Sequence, residues 1–520
     1  MTRRGPDRRA LLRGAAALAA CAALPATART AIAQPKFLND PFSLGVASGE
    51  PLSDGFVIWT RLAPDPFDPR ALPPAPIEVE WQVAADPKLR RVVRQGVALA
   101  QPEQAHAVHV ELRGLEPDRP YWYRFRAGGA VSPVGHGRTL PVVGRPHPRL
   151  RLAFTSCQHY EQGYFAAYRP MIADDPDLIL HLGDYIYETS WGDPVRRHEG
   201  PEPTTLDGYR ARHALYKLDL DLQAAHAHAC WIMTWDDHEV DNDYAGVDAE
   251  DFADPVAFLA RRTAAYRAYY EHMPLRRSAL PEPDGSLRLF QRYTIGDLVS
   301  LSVLDGRQYR SDQACDGNGV GGGQLLENCA ELADPRRSML GEVQERWLLR
   351  GIEHSRARWT VIAQQTLFAR LDSKPGEGEA FWSEGWSGYP VSRERILAQL
   401  RDTRAPNPVF LGGDMHSFWV TELRSDGADP GSGPVASEFV CSSLSAGGPP
   451  PERFTVLLPE NPHIRFFEGT KRGYGLATIT PEQWRTDFRV VDDVRDPNTG
   501  SGTLASFVVE AGVPGPKPAG

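Results

Sequence analysis

Two patterns of hydrophobic and polar residues divide the chain. From about Pro41 to Pro141, short runs alternate apolar and polar residues, as in Ile77-Glu78-Val79-Glu80-Trp81-Gln82-Val83 and Tyr121-Trp122-Tyr123-Arg124-Phe125. Pro, Gly and Asp punctuate them. A two-residue period puts one face of each run inside and one outside, which predicts a small antiparallel β-sandwich over 41–143. From Leu150 onward the runs become apolar throughout, as in Leu152-Ala153-Phe154, Leu178-Ile179-Leu180-His181-Leu182 and Val409-Phe410-Leu411. The segments from Ile295 to Leu304 and from Trp359 to Ala363 read the same way, and helical periodicity falls between, from Phe252 to His272 and from Glu342 to Glu353. Buried strands alternating with helices predict an α/β layered domain over 149–512. A Pro-rich boundary, Arg145-Pro146-His147-Pro148, precedes it, and 513–520 reads as a disordered Pro/Gly tail.

The first 33 residues follow a third pattern. Arg8-Arg9 is followed closely by leucines, an alanine-rich run from Gly14 to Ala28, and Ala31-Ile32-Ala33. A charged start, a short apolar run and an A-x-A-like site form an export signal. The arginine pair fits the twin-arginine kind, which carries folded proteins across a bacterial membrane. The expected location is therefore periplasmic or secreted, with the twin-arginine export machinery as a partner. The run is too short for a strong membrane span, which needs roughly 20 apolar residues. A retained anchor, or a lipoprotein cleavage at Cys21, are the other readings of this segment.

Composition is that of a globular protein, with 42% hydrophobic and 24% charged residues. Six arginines and one aspartate give the signal a charge of +5, so removing it takes the chain from −10 to −15. That charge, with no basic stripe interleaved with aromatics, predicts no nucleic-acid-binding surface. An anionic substrate would need local cations. Beyond the signal lie five cysteines, so an exported chain has at least one thiol without an internal partner. Cys315 and Cys329 bracket a glycine-rich loop with much entropy to lose, which makes them the disulfide candidate. Spacing alone does not fix the pairing.

Chemically capable residues recur just past strand ends, where open α/β sheets place their ligands. His181-Leu182-Gly183-Asp184-Tyr185-Ile186-Tyr187 delivers a carboxylate able to bridge two cations, and a phenol that a hard trivalent ion can ionise. Trp235-Asp236-Asp237-His238-Glu239 through Asn242 and Asp243 is rich in oxygen donors, which suit Ca²⁺, beside an imidazole suited to acid–base work. Gly412-Gly413-Asp414-Met415-His416 places a carboxylate and an imidazole two residues apart, on one side of an extended stretch. Leu304-Asp305-Gly306-Arg307 offers a carboxylate and a guanidinium fork; the alternative is that the two pair with each other. Ser156-Cys157-Gln158 ends the first strand of the domain in a thiol, whose ordinary fate is burial. Each motif alone is weak. Their joint recurrence points to one metal-dependent centre.

In this order the motifs resemble those of the metallophosphoesterases, most closely the PhoD-type alkaline phosphatases and phosphodiesterases. The likeness spans Ser156 to Gln158, Gly183 to Tyr187, Trp235 to Asn242, Leu304 to Arg310, Gly412 to Trp419 and the late motif Ala505-Ser506-Phe507-Val508-Val509. The turn Leu115-Glu116-Pro117-Asp118 before Tyr121 likewise resembles that of fibronectin- and Ig-like sandwiches. The resemblance implies ferric iron held by Cys157, Asp184, Tyr187 and His416. It implies Ca²⁺ shared through Asp184 with Asp237 and Asp414, with Asn242 and Asp305 in support. It also implies a phosphate ester facing His238 and Arg307. The expected function is hydrolysis of phosphoric esters by a metal-activated water. A phospholipase-D-like diesterase on the same scaffold is the alternative, and a metal-stabilised binding protein without turnover or a calcium-dependent adhesion protein lies further off. Ser387 stands where the family usually carries Asp, in a stretch expected to form the pocket mouth with Trp386 and Tyr389.

Overall fold

Strands that are apolar on both faces need cover on both faces, and the architecture follows from that requirement. The computed structural model describes residues 36–251, 254–316, 321–424 and 431–519, so the signal reading of 1–33 lies outside the described residues. Strands Leu150–Thr155, Leu178–His181 and Cys230–Met233 lie side by side and parallel at the centre of a ten-stranded sheet. A seven-stranded sheet contains the parallel set Val299–Val303, Trp359–Ala363, Pro408–Gly412 and Pro434–Val440. The two sheets share one apolar core that includes Leu152, Phe154, Leu180, Leu301, Val361 and Leu411. Helices Leu206–Lys217, Leu220–His228 and Pro255–His272 supply a second core outside the first sheet, and Gly341–His354 and Pro390–Thr403 a third outside the other. This is a layered α/β sandwich, as the pattern predicts.

One helix shows how these layers reach the site. Asp254 caps Pro255–His272 by accepting from the backbone N–H groups of Val256 and Ala257, and proline occupies the first turn, where no donor is lost. Its buried face carries Tyr266, which stacks on Trp235 at 4.1 Å between ring centroids. Such a ring pair contributes about 0.5–1.5 kcal/mol beyond its buried area. It holds the turn that begins at Asp236.

Three expectations need correction. The segment 41–143 is not a self-standing sandwich, because Val46–Leu52, Gly55–Arg61 and Ala107–Glu111 extend the large sheet, Val46–Leu52 running parallel to Cys230–Met233. Only Ile77–Ala84, Val92–Ala100, Pro120–Ala127, Ala130–Val131 and Gly135–Arg138 form a separate sheet. The Pro/Gly tail is ordered: Val513–Pro518 pairs with Ser501–Glu510, and the Gly515 N–H donates to Ser437 Oγ. It closes an edge of the sheet, where proline costs no ladder bond. The apolar run 295–304 is broken at Gly296, whose φ of 56° turns the chain between antiparallel Gln291–Ile295 and Val299–Val303.

Candidate metal centre and substrate cleft

The central strands of both sheets end at the same side, and their loops meet there. Cys157 follows Leu150–Thr155, Asp184 follows Leu178–His181, Asp237 and His238 follow Cys230–Met233, and Asp414 and His416 follow Pro408–Gly412. The loops are tied to one another, with Cys157 N–H donating to Gly183 O at 3.1 Å and Gln158 N–H to Asp184 O at 3.0 Å. Gly183 is required here: at φ 118°, a Cβ would come within 2.5 Å of Asp236 Cβ. Cys157, Asp184, Asp414 and His416 all have φ between 49° and 60°, a region non-glycine residues rarely adopt. Strain gathered at four neighbouring side chains is what a functional constellation shows.

Two compact ligand groups result, Cys157–Asp184–His416 and Asp184–Asp237–His238, with Asp184 common to both. Tyr187 reaches the first through a bend rather than a helix. Its hydroxyl donates to Asp184 Oδ2 at 2.7 Å and lies 3.2 Å from His416 Nε2. His416 Nδ1 bonds the Gly447 carbonyl, which leaves Nε2 with its lone pair toward the centre. Asp184 Oδ1 and Asp237 Oδ1 are buried without any hydrogen-bond partner. A bare buried carboxylate oxygen is costly, and a cation removes that cost. Burial, then Asp184, push the Cys157 thiol well up; burial, then Asp184 and Cys157, do the same to the Tyr187 hydroxyl. Burial raises Asp184 likewise. So much stacked acidity fits a site built to be neutralised by metal.

Asp237 and His238 differ from their neighbours. Burial would raise Asp237, but Arg307 and His238 outweigh it and hold the carboxyl below its usual range. Burial would lower His238, but Glu188, Asp237 and Asp184 outweigh it and keep the ring protonated. Its Nδ1 is 2.8 Å from Glu188 Oε2. Asp414 and Asn242 line the cleft beside these groups without joining either compact set, and the Asn242 amide donates to Glu250 at 2.9 Å.

Three expected site residues lie elsewhere. Asp305 caps its own turn: Oδ1 accepts the Arg307 and Gln308 N–H groups at 3.0 Å each, and Oδ2 accepts Gln308 Nε2 at 3.0 Å. It joins neither compact ligand group and does not line the cleft. Arg307 is 1% exposed and enclosed by Asp236, Asp237 and Glu384, so it positions Asp237 instead of meeting phosphate. Tyr389 is buried, its hydroxyl donating to Ser311 O at 2.6 Å, and it does not line the cleft. Trp386 does, with its indole N–H fixed by Gln364. Cys315 and Cys329 form a disulfide.

Sequence reasoning missed several supporting groups. Glu239 accepts the N–H groups of Asp184, Tyr185 and Asp236, bracing two ligand loops with one carboxylate. Glu188 orients His238, Glu384 anchors Arg307 and Arg310, and Gln365 ties Trp235 to Leu304. Glu239 stands within the quoted Asp-His-Glu run, and Glu188 directly follows Tyr187; both were within reach of the motif reading.

The cleft above these groups has a volume of ≈ 360 Å³. The part of its lining that holds the ligand groups, its floor, is acidic, and Leu325, Leu371, Trp382, Phe454 and Leu457 make up an apolar part, its wall. Fold and site thus define a layered α/β protein with a carboxylate-rich cleft able to hold cations, a class that comparison with known proteins narrows. The family model of the PhoD-like phosphatase matches residues 152–488, and that of the PhoD-like phosphatase N-terminal domain matches 26–141. The chain is 45% identical over 489 residues to alkaline phosphatase D of Bacillus subtilis (strain 168), covering 92% of this chain and 82% of that protein. A solved structure of PhoD superposes with a TM-score of 0.89 at 43% identity, over 94% of this chain and 93% of that one. This chain belongs to the PhoD-like phosphatase family and is a phosphoric ester hydrolase.

Proposed function

We propose that this is an exported, metal-dependent alkaline phosphatase with phosphodiesterase activity. The observation that carries the metal reading is the pair of bare buried oxygens, Asp184 Oδ1 and Asp237 Oδ1, beside a thiol, a phenol and an imidazole. Cys157, Asp184, Tyr187 and His416 make a mixed sulfur, oxygen and nitrogen set suited to ferric iron. Asp184, Asp237, Asp414 and Asn242 make an oxygen set suited to Ca²⁺. Cations held there supply Lewis acidity toward the phosphate and acidify water at the cleft floor.

The remaining work falls to the chain itself. Arg307 keeps Asp237 ionised and fixed, with its own charge spent on Asp236 and Glu384. Glu188 holds the His238 ring by Nδ1, so that Nε2 presents a proton to the departing alkoxide. A placed general acid is worth roughly 10²–10⁴-fold. The apolar wall excludes water that would compete for the phosphate oxygens.

Metal analysis of the purified holoenzyme alongside phosphate release tests this reading. Iron and calcium are expected, with a visible absorption band from tyrosinate on ferric iron. Cys157→Ala should lose iron and most activity; full iron and full turnover in that variant would refute the ligand set. Rates on a monoester, a diester and phosphatidylcholine separate phosphatase from phospholipase-like preference, and the apolar wall favours esters with a sizeable second group. Export through the twin-arginine route rests on Arg8-Arg9 and the run behind it. Activity should remain inside the cell when both arginines become lysine. No helix among the described residues is long and apolar enough to cross a membrane.

A further inference from the structure

The cleft carries a marked imbalance of charge. Asp184, Asp237, Asp243, Glu384 and Asp414 all line it, inside a chain that is itself acidic. The guanidinium that sequence assigned to phosphate, Arg307, is sealed beneath the floor by three carboxylates. One arginine does line the cleft, Arg453, on the apolar wall. Its guanidinium carbon lies 5.4 Å from the Trp382 ring centroid and 5.9 Å from that of Phe454. Among the described residues no ion pair or hydrogen bond engages that guanidinium. Aromatic faces hold a guanidinium in place while leaving its donors free, which suits it to an incoming anion.

Position decides which anion. A phosphate under attack must sit on the floor, against Asp184, Asp237 and His238, because the candidate ligands are there. Arg453, exposed to solvent, lines the same cleft with Trp382 and Phe454, outside the ligand groups, so a phosphate held by those groups leaves its alcohol portion free to extend toward these three residues. We infer that Arg453, Trp382 and Phe454 form a leaving-group subsite selecting esters whose alcohol portion joins an apolar body to a negative charge of its own. The three residues share the recognition between them, since the rings and Leu457 cover the apolar body while Arg453 takes the charge. This inference builds on the hydrolase assignment and names which esters the cleft prefers.

Two aryl phosphates test it, alike except that the leaving phenol carries a para-methyl or a para-carboxylate group. Their intrinsic reactivities differ, so the readout is the ratio of kcat/KM for the carboxylate ester to that for the methyl ester, compared between proteins. In Arg453→Gln holoenzyme the ratio should fall about 1.5- to fivefold, the range for an exposed charge pair. Arg453→Lys should recover part of it. Rising salt should lower the wild-type ratio and leave the Gln variant's ratio flat. Trp382→Ala should cut kcat/KM for both esters. An unchanged ratio in Arg453→Gln, with metal content intact, overturns the subsite. Failure of the metal-loaded wild type to hydrolyse either ester would overturn the hydrolase reading instead, and the subsite with it.

Discussion

Two strand ends that look alike in sequence do opposite things. Leu182-Gly183-Asp184 and Leu304-Asp305-Gly306 each carry a buried strand into a Gly/Asp turn. Asp305 spends both oxygens on its own turn, accepting three N–H donors. Asp184 gives one oxygen to Tyr187 and leaves the other bare. Its turn is stabilised from elsewhere, by Glu239 accepting its backbone N–H. A carboxylate is released for chemistry when another residue takes over the structural duty. Whether it is released depends on a distant partner rather than on the local motif.

The largest effect expected from this contrast is at Asp184. Asp184→Asn should reduce kcat/KM by about 10³-fold or more through loss of the shared ligand. Its unfolding midpoint in the metal-free state should be unchanged or higher, since a buried carboxyl with an unpartnered oxygen is gone. Denaturant titration and steady-state kinetics on one preparation check both. A destabilised variant would break the contrast.

Metal uptake should depend steeply on pH. In the metal-free protein, burial and neighbouring acids raise Cys157, Tyr187 and Asp184, and burial with Glu384 and Asp237 lifts Asp414 to about 7. Raised pKa values mean that protons must leave before cations enter. Affinity should therefore rise with pH, by about tenfold per unit for each proton displaced. Competition with a chelator at several pH values measures the slope; a flat response would mean the groups are not ligands.

Glu239→Gln comes next. It keeps the shape of the brace but replaces one accepting oxygen with a donating amide against backbone N–H groups, and should weaken metal affinity by about 10–100-fold, the usual scale for groups that orient ligands. Asp305→Ala sharpens the contrast from the other side. It should cost about 2–3 kcal/mol of stability while metal content stays normal. Lost metal there would restore Asp305 as a ligand. Smallest is the Cys315–Cys329 bridge, which secures the segment whose Leu325–Leu326 pairs with Phe381–Trp382 at the mouth. Replacing both cysteines by serine should raise KM about two- to fivefold and leave metal content unchanged, as a loosened loop adds ordering cost to binding.

Much of this was legible in the sequence, and the exceptions have physical causes. Runs such as Leu178–His181 must be buried on both faces, so the layered sandwich and the strand-end positions of Cys157, Asp184, Asp237 and His416 follow. What stayed hidden was long-range pairing. Asp236 and Glu384, which enclose Arg307, lie 71 and 77 residues from it in sequence. Nothing near Asp305 announces that Gln308 turns back onto it. The tail from Val513 reads as disordered because proline is rare in strands, yet an edge position removes that objection. The membership of Val46–Leu52 in the large sheet depends on Cys230–Met233, a partner far down the chain.

That last pairing governs how the molecule can be built. The large sheet joins a strand beginning at Val46 to one beginning at Cys230, and its far edge is supplied by Val513–Pro518. Contacts so distant along the chain close slowly, and none of them can form while their partners are still on the ribosome. The candidate centre gathers residues from Cys157 to His416, so it cannot assemble until the strand Pro408–Gly412 and the loop behind it have been made.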